Sequence, residues 1–187
     1  MPLPLAHAAI GLATHEISEG NPSVYNPWKR LAFVVVLANL PDFDMLAGLM
    51  VRGDGYVFHR GPTHSLLFAL AVGWVAAKAW RYWSRESSVS VLSCVSIILS
   101  HVLADAIFTS SPVSFFWPFE VHWTSGQCGW MDVIDSLFVG AWSEMPLVLA
   151  SGAVILCTRL LRSRLLPHLL AHPVRVPSPS HPKGPKS

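Results

Sequence analysis

The sequence predicts an all-α fold: a polytopic membrane helical bundle with four strong spans and one short N-terminal helix. Three observations carry that expectation. Charged residues make up 13% of the chain and apolar residues 52%, with a mean hydropathy of +0.45, whereas soluble domains carry about 25% charged residues. Apolar runs recur at the length of about 20 residues that a bilayer requires. Histidines and aspartates sit inside or beside those runs, where ionisable groups are costly and usually functional.

Residues 3–17 read as a short helix containing His7. This run is marginal for a span and lacks the basic start of a signal peptide. A polar loop over 19–30 follows, closed by Lys29 and Arg30. The run 31–51 is long enough to span, but Pro41 interrupts it within Asn39-Leu40-Pro41-Asp42-Phe43-Asp44. Proline removes a donor and disfavours helix at the preceding residue, so a break near Pro41 is expected. Broken backbone at membrane depth is tolerated where it lines a cavity, which puts the two aspartates inside the bundle.

Residues 52–61 form a glycine-containing loop, and Pro62-Thr63 reads as a helix start. Residues 66–83 and 88–108 are the next two spans, the second carrying His101 and Asp105 near its end. Residues 110–130 form an aromatic loop of the kind that favours a membrane interface. Residues 131–161 supply the last span, with a kink expected at Pro146. The membrane-embedded domain is expected over 1–166, and 167–187 reads as a disordered, basic, proline-rich tail.

Basic residues orient the bundle. With the N-terminus outside and five helices, eleven of the thirteen lysines and arginines fall on the inner side, as the positive-inside rule prefers. The tail is then cytoplasmic. The same arrangement carries His7, Asp44, His59, His64, His101, Asp105 and Asp135 toward the outer side, although none of them was used to choose it.

Several function classes find no support. The net charge of +2 comes without a basic patch suited to nucleic acid. Cys94, Cys128 and Cys157 are far apart and make no CxxC pair. There is no G-x-S-x-G, P-loop or dinucleotide fingerprint.

The ionisable residues point instead to a metal site. His101 and Asp105, four apart on a helix, share one face. Alone they also fit a buried His–Asp hydrogen bond. Asp42 and Asp44 flank a phenylalanine, and either could be a ligand while the other caps a helix. Asp44 is slightly the better ligand candidate. His59 and His64 flank Arg60-Gly61-Pro62-Thr63. A helix starting near Pro62 would place His64 in its first turn, where the helix dipole favours the neutral imidazole that a metal needs. Arg60 is a planar cation suited to phosphate or carboxylate. His7 alone reads equally as a core histidine, Asp135 and Asp132 as caps, and Glu120 and His122 as wet loop residues or as acid and base. Histidine and carboxylate ligands without thiolates suit Zn²⁺, or Mn²⁺ or Mg²⁺ where carboxylates dominate.

The motifs Pro41-Asp42-Phe43-Asp44, His59-Arg60-Gly61-Pro62-Thr63-His64-Ser65, His101-Val102-Leu103-Ala104-Asp105, Trp117-Pro118-Phe119 and Ile134-Asp135 occur in that order. Together with His7 they resemble the YdjM-like family of bacterial inner-membrane proteins, described as LexA-regulated, membrane-bound, metal-dependent hydrolases. The resemblance covers roughly residues 4–145. Ser136 departs from it, since proline is expected after the aspartate. The resemblance implies a multi-pass inner-membrane location and a hydrolase. The family's likeness to zinc-dependent phospholipase C extends this to a phosphoester or lipid-linked substrate. On that reading His7, Asp44, His59, His64, His101, Asp105 and Asp135 supply the metal ligands. They are too many for one four-coordinate zinc, so either two metals bind or some of the seven only support the ligands. Asp42 or Asp105 would act as general base, and Arg60 would hold an anionic group. Two alternatives stand beside it. One is a metal-ion or proton-coupled transporter, which needs polar residues across the whole membrane. The other is a structural membrane protein in which a metal clips helices together.

Overall fold

The computed structural model describes residues 4–19, 27–84, 89–109, 112–119 and 128–170. Among them there is no strand. Seven helices are present: α1 (Pro4–Ser18), α2 (Pro27–Asn39), α3 (Phe43–Arg52), α4 (Leu66–Ser84), α5 (Val91–Phe108), α6 (Trp130–Val139) and α7 (Met145–Leu170). Short 3₁₀ turns join several of them.

The all-helical expectation is met. Among the described residues, three stretches are long and apolar enough to cross a membrane: Pro27–Arg52, Val91–Phe108 and Met145–Arg164. α4 has 19 residues, but Lys78 and Arg81 in its second half lower its hydropathy.

The break at Pro41 is present. The chain leaves α2 at Asn39, makes a 3₁₀ turn over Leu40–Asp42 and resumes as α3. Three local expectations need correction. Pro62 does not start α4: Pro62–His64 is a separate 3₁₀ turn, and α4 begins at Leu66. Ser65, extended at ψ 156°, caps that helix by accepting from the Phe68 N–H at 3.1 Å. His64 therefore precedes the helix and is not in its first turn. The last span is not one helix kinked at Pro146. A 3₁₀ segment over Gly140–Glu144 separates α6 from α7, and Pro146 sits in the first turn of α7, where its missing N–H costs nothing. α7 runs to Leu170. Residues 171–187 lie outside the described ones.

α5 is the axis of the bundle and packs on α1, α2 and α4, while α1 also packs on α2 and α7. Val34, Leu37, Ala38, Trp80, Cys94, Ile97 and Ile98 form the apolar core. Glycine lets the helices approach, as is common where helices meet in a membrane. A Cβ at Gly73 of α4 would lie 2.6 Å from Val95 Cγ2 and 2.9 Å from Val95 N of α5. Outward-facing residues such as Met50, Tyr82 and Trp142 are at least 80% exposed, which suits a lipid-facing surface.

Candidate metal centre

Four segments bring their ionisable residues to one end of this bundle. α1 contributes His7, and the break between α2 and α3 contributes Asp42 and Asp44. The loop before α4 contributes His59, Arg60 and His64, and the last turns of α5 contribute His101 and Asp105. All but Asp42 are buried; 19% of the Asp42 side chain is exposed, so it forms the mouth of the cluster.

Each of three histidines is anchored through Nδ1. His101 Nδ1–H donates to the Ala38 carbonyl at 2.8 Å. His59 Nδ1–H donates to Asp44 Oδ1 at 3.0 Å. His64 Nδ1–H donates to Thr63 Oγ1 at 3.0 Å, and Thr63 in turn donates to Asp44 Oδ2. A ring held in this way keeps its lone pair on Nε2, as metal-binding histidines do. The Nε2 atoms of His64 and His101 lie 3.3 Å apart. Asp42 Oδ1 is 3.2 Å from His101 Nε2 and 3.5 Å from His64 Nε2, and Asp105 Oδ2 is also 3.5 Å from His64 Nε2. His7 stacks on His101 with ring centroids 3.7 Å apart and sets its Nε2 3.4 Å from Asp105 Oδ1.

The donor set fits a cation on chemical grounds. His59 Nε2, both Asp105 oxygens, Asp42 Oδ1 and both His7 nitrogens are buried without a hydrogen-bond partner, a costly state for polar atoms in an apolar interior. Two ligand groups emerge. Asp42, His59, His64 and Asp105 offer atoms within 4.8 Å of one another, and so do His7, His101 and Asp105. Asp105 belongs to both.

The structure thus brings together His7, Asp42, His59, His64, His101 and Asp105. It places Asp44 against the outer nitrogens of His59 and His64. Asp135 is not brought to the cluster: it is exposed on α6, which packs on the Gly140–Glu144 turn. Asp132 on the same helix accepts from the Gly129 N–H at 2.8 Å and caps α6. Glu120 and His122 lie outside the described residues. Cys128 belongs to neither ligand group; burial and the carboxylates of Asp132 and Asp54 push its thiol up.

Arg60 occupies the left-handed region at φ 64°, rare for a residue with a side chain. Its carbonyl accepts from the Ser114 N–H at 3.2 Å, and its Nε lies 3.5 Å from Asp105 Oδ2. The Phe115 carbonyl likewise accepts from Leu66 N–H at 3.0 Å. The loop over 112–119 therefore clamps the His59–Ser65 segment in place.

Glu144 escaped the reading of the sequence. It is 2% exposed, and its Oε2 accepts from the Ala6 N–H at 2.9 Å. It thereby caps the first turn of α1, one residue before His7. Burial pushes its carboxyl up, against the pull of that N–H and of His7. A glutamate between apolar segments was the available signal, the same one that singled out the aspartates.

No solved structure matches the chain. The inner membrane protein YbcI of Escherichia coli (strain K12) is 35% identical over 123 residues, covering 64% of this chain and 69% of that protein. The family described as YdjM inner membrane protein matches residues 1–166, which include every residue of the cluster. The chain belongs to the YdjM family of inner membrane proteins.

Proposed function

We propose that the protein is a membrane-bound, metal-dependent hydrolase acting on a phosphoester or lipid-linked substrate. The observation that carries the metal reading is the meeting of His64 Nε2 and His101 Nε2 at 3.3 Å while both Nδ1 atoms are engaged as donors. Two Nε2 atoms converging beside carboxylates make a donor set that suits cation binding. Asp42, His59, His64 and Asp105 would hold one metal, and His7, His101 and Asp105 would hold a second, Asp105 being common to both groups. Zn²⁺ suits this ligand mixture, with Mn²⁺ or Mg²⁺ as carboxylate-favouring substitutes. A metal bound there lowers the pKa of a coordinated water and polarises the ester.

The chain's own residues do the rest. Asp44 takes an orienting role, fixing the rings of His59 and His64 through their Nδ1 atoms. Asp42 takes the ligand place that the sequence favoured for Asp44. Asp42 is also the carboxylate at the mouth and would serve as general base toward the attacking water. Arg60 supplies a fixed positive charge beside Asp105 for an anionic group of the substrate. The apolar core around Val34, Ile97 and Ile98 closes the bundle beneath the cluster, which favours a one-sided site over the through-path a transporter needs. In the proposed topology α4 is the fourth strong span, the N-terminus and the cluster lie at the outer face, and the tail is cytoplasmic.

The test is elemental analysis of detergent-purified protein followed by turnover of bis(p-nitrophenyl) phosphate. Wild type should carry stoichiometric metal and hydrolyse the ester until a chelator is added. His64→Ala and His101→Ala should each carry less metal and lose turnover. Metal-free wild type purified without chelator would overturn the reading, and bound metal without turnover of any phosphoester would reduce it to a structural clip.

A further inference from the structure

The opposite end of the bundle carries a second feature. α1 rises about 1.5 Å per residue, so His15 lies roughly 12 Å along the axis from His7. There α1, α2 and α7 enclose a cavity of about 440 Å³, within the size range of small-molecule sites. Its wall is apolar along Leu12, Leu31, Val34 and Ile155. Its polar lining consists of Arg30, Arg159, Glu16 and His15.

His15, part of this lining, is 6% exposed. Its Nδ1 pairs with Ser93 Oγ at 3.1 Å, and its Nε2 is buried without a hydrogen-bond partner. Glu16 is already engaged, by Arg159 Nη2 at 3.1 Å and Arg162 Nη1 at 3.5 Å. With Arg30 and Arg159 against Glu16, the cavity lining carries two basic side chains and one carboxylate. Trp28, 76% exposed, stands at the rim, and tryptophan favours the headgroup level of a bilayer.

We propose that this cavity binds one anionic phospholipid, its headgroup phosphate at His15, Arg30 and Arg159 and one acyl chain along the apolar wall. A long apolar wall with basic side chains matches an amphiphile better than a soluble anion. The site is separate from the metal cluster and does not depend on the hydrolase reading.

Native mass spectrometry of the full chain in detergent tests it, with dioleoyl phosphatidylglycerol, dioleoyl phosphatidylcholine and inorganic phosphate as probes. One phosphatidylglycerol per chain should survive detergent exchange while phosphatidylcholine is lost, and millimolar phosphate should not displace it. Ile155→Trp, which fills the wall, should abolish retention. Arg159→Gln should lower it about five-fold, the worth of one basic side chain near an anionic headgroup. The Arg159 side chain is 68% exposed, so this variant decides the matter if Ile155→Trp does not fold. Equal retention of both lipids, wild-type retention in Arg159→Gln, or displacement by phosphate alone would overturn the proposal. Metal content measured on the same samples keeps this outcome apart from that of the cluster.

Discussion

His64 and His101 point their Nε2 atoms at each other across 3.3 Å, and each ring is held in that pose from behind. The backing for His101 is a backbone carbonyl near the end of α2; for His64 it is Thr63, itself tied to Asp44. Neither ring can turn away without giving up a buried hydrogen bond, which costs about 1–3 kcal/mol.

Because ligation requires neutral imidazoles, protons and metal compete for the same nitrogens. Metal retention should be high at neutral pH and fall on acidification, as protons displace metal from the imidazoles. Dialysis at stepped pH followed by elemental analysis checks this, and a metal content unchanged down to about pH 4.5 would point to ligands other than histidine.

Asp44 and Asp42 should separate on substitution. Asp44→Asn keeps the ligand atoms but weakens the support behind His59 and His64, so metal affinity should fall about 10–100-fold with full occupancy recoverable at high metal. Asp42→Asn should lose activity even at saturating metal. Competition with a metal-sensitive dye gives the affinities, and identical behaviour of the two variants would refute the division of roles.

Stoichiometry should follow from Asp105 being shared. His7→Ala should remove one metal of two, whereas Asp105→Asn should remove both, as counted by elemental analysis. One metal in wild type, kept in His7→Ala, would restrict the centre to Asp42, His59, His64 and Asp105.

Glu144→Gln keeps the shape at the start of α7 but weakens a charge-assisted bond to the first turn of α1. A loss of about 1–2 kcal/mol is expected from the thermal transition in detergent, and Glu144→Ala should cost more because Ala6 N–H is left without its acceptor. Unchanged melting in both variants would show that the cap does not hold α1.

Much of this was legible in the sequence, for a physical reason. Carboxylates and imidazoles are expensive in apolar surroundings, so His7, Asp42, Asp44, His101 and Asp105 stood out wherever they fell. Pro41 announced its break because a proline cannot donate within a helix. Periodicity, however, fixes neighbours within one helix and says nothing of register between helices. Thus the sequence could not tell Asp42 from Asp44, since both flank Phe43 and only the docking of α5 decides which one meets His101. Asp135 was grouped with the others by its position near the end of an apolar run, but the 3₁₀ segment over Gly140–Glu144 parts α6 from α7 and leaves it exposed. Glu144 was overlooked because its partner is a backbone N–H of α1, 138 positions away.

The sharing of Asp105 also bears on how the protein is made. The ligands are spread from residue 7 to residue 105, so a nascent chain whose fifth helix has not yet emerged contains no complete centre. During that interval Asp44 can already satisfy His59 and Thr63, but Asp42 still lacks His101 and His7 still lacks Asp105. Any metal capture by the proposed centre would therefore wait for the fifth helix, which brings Asp105 to His7.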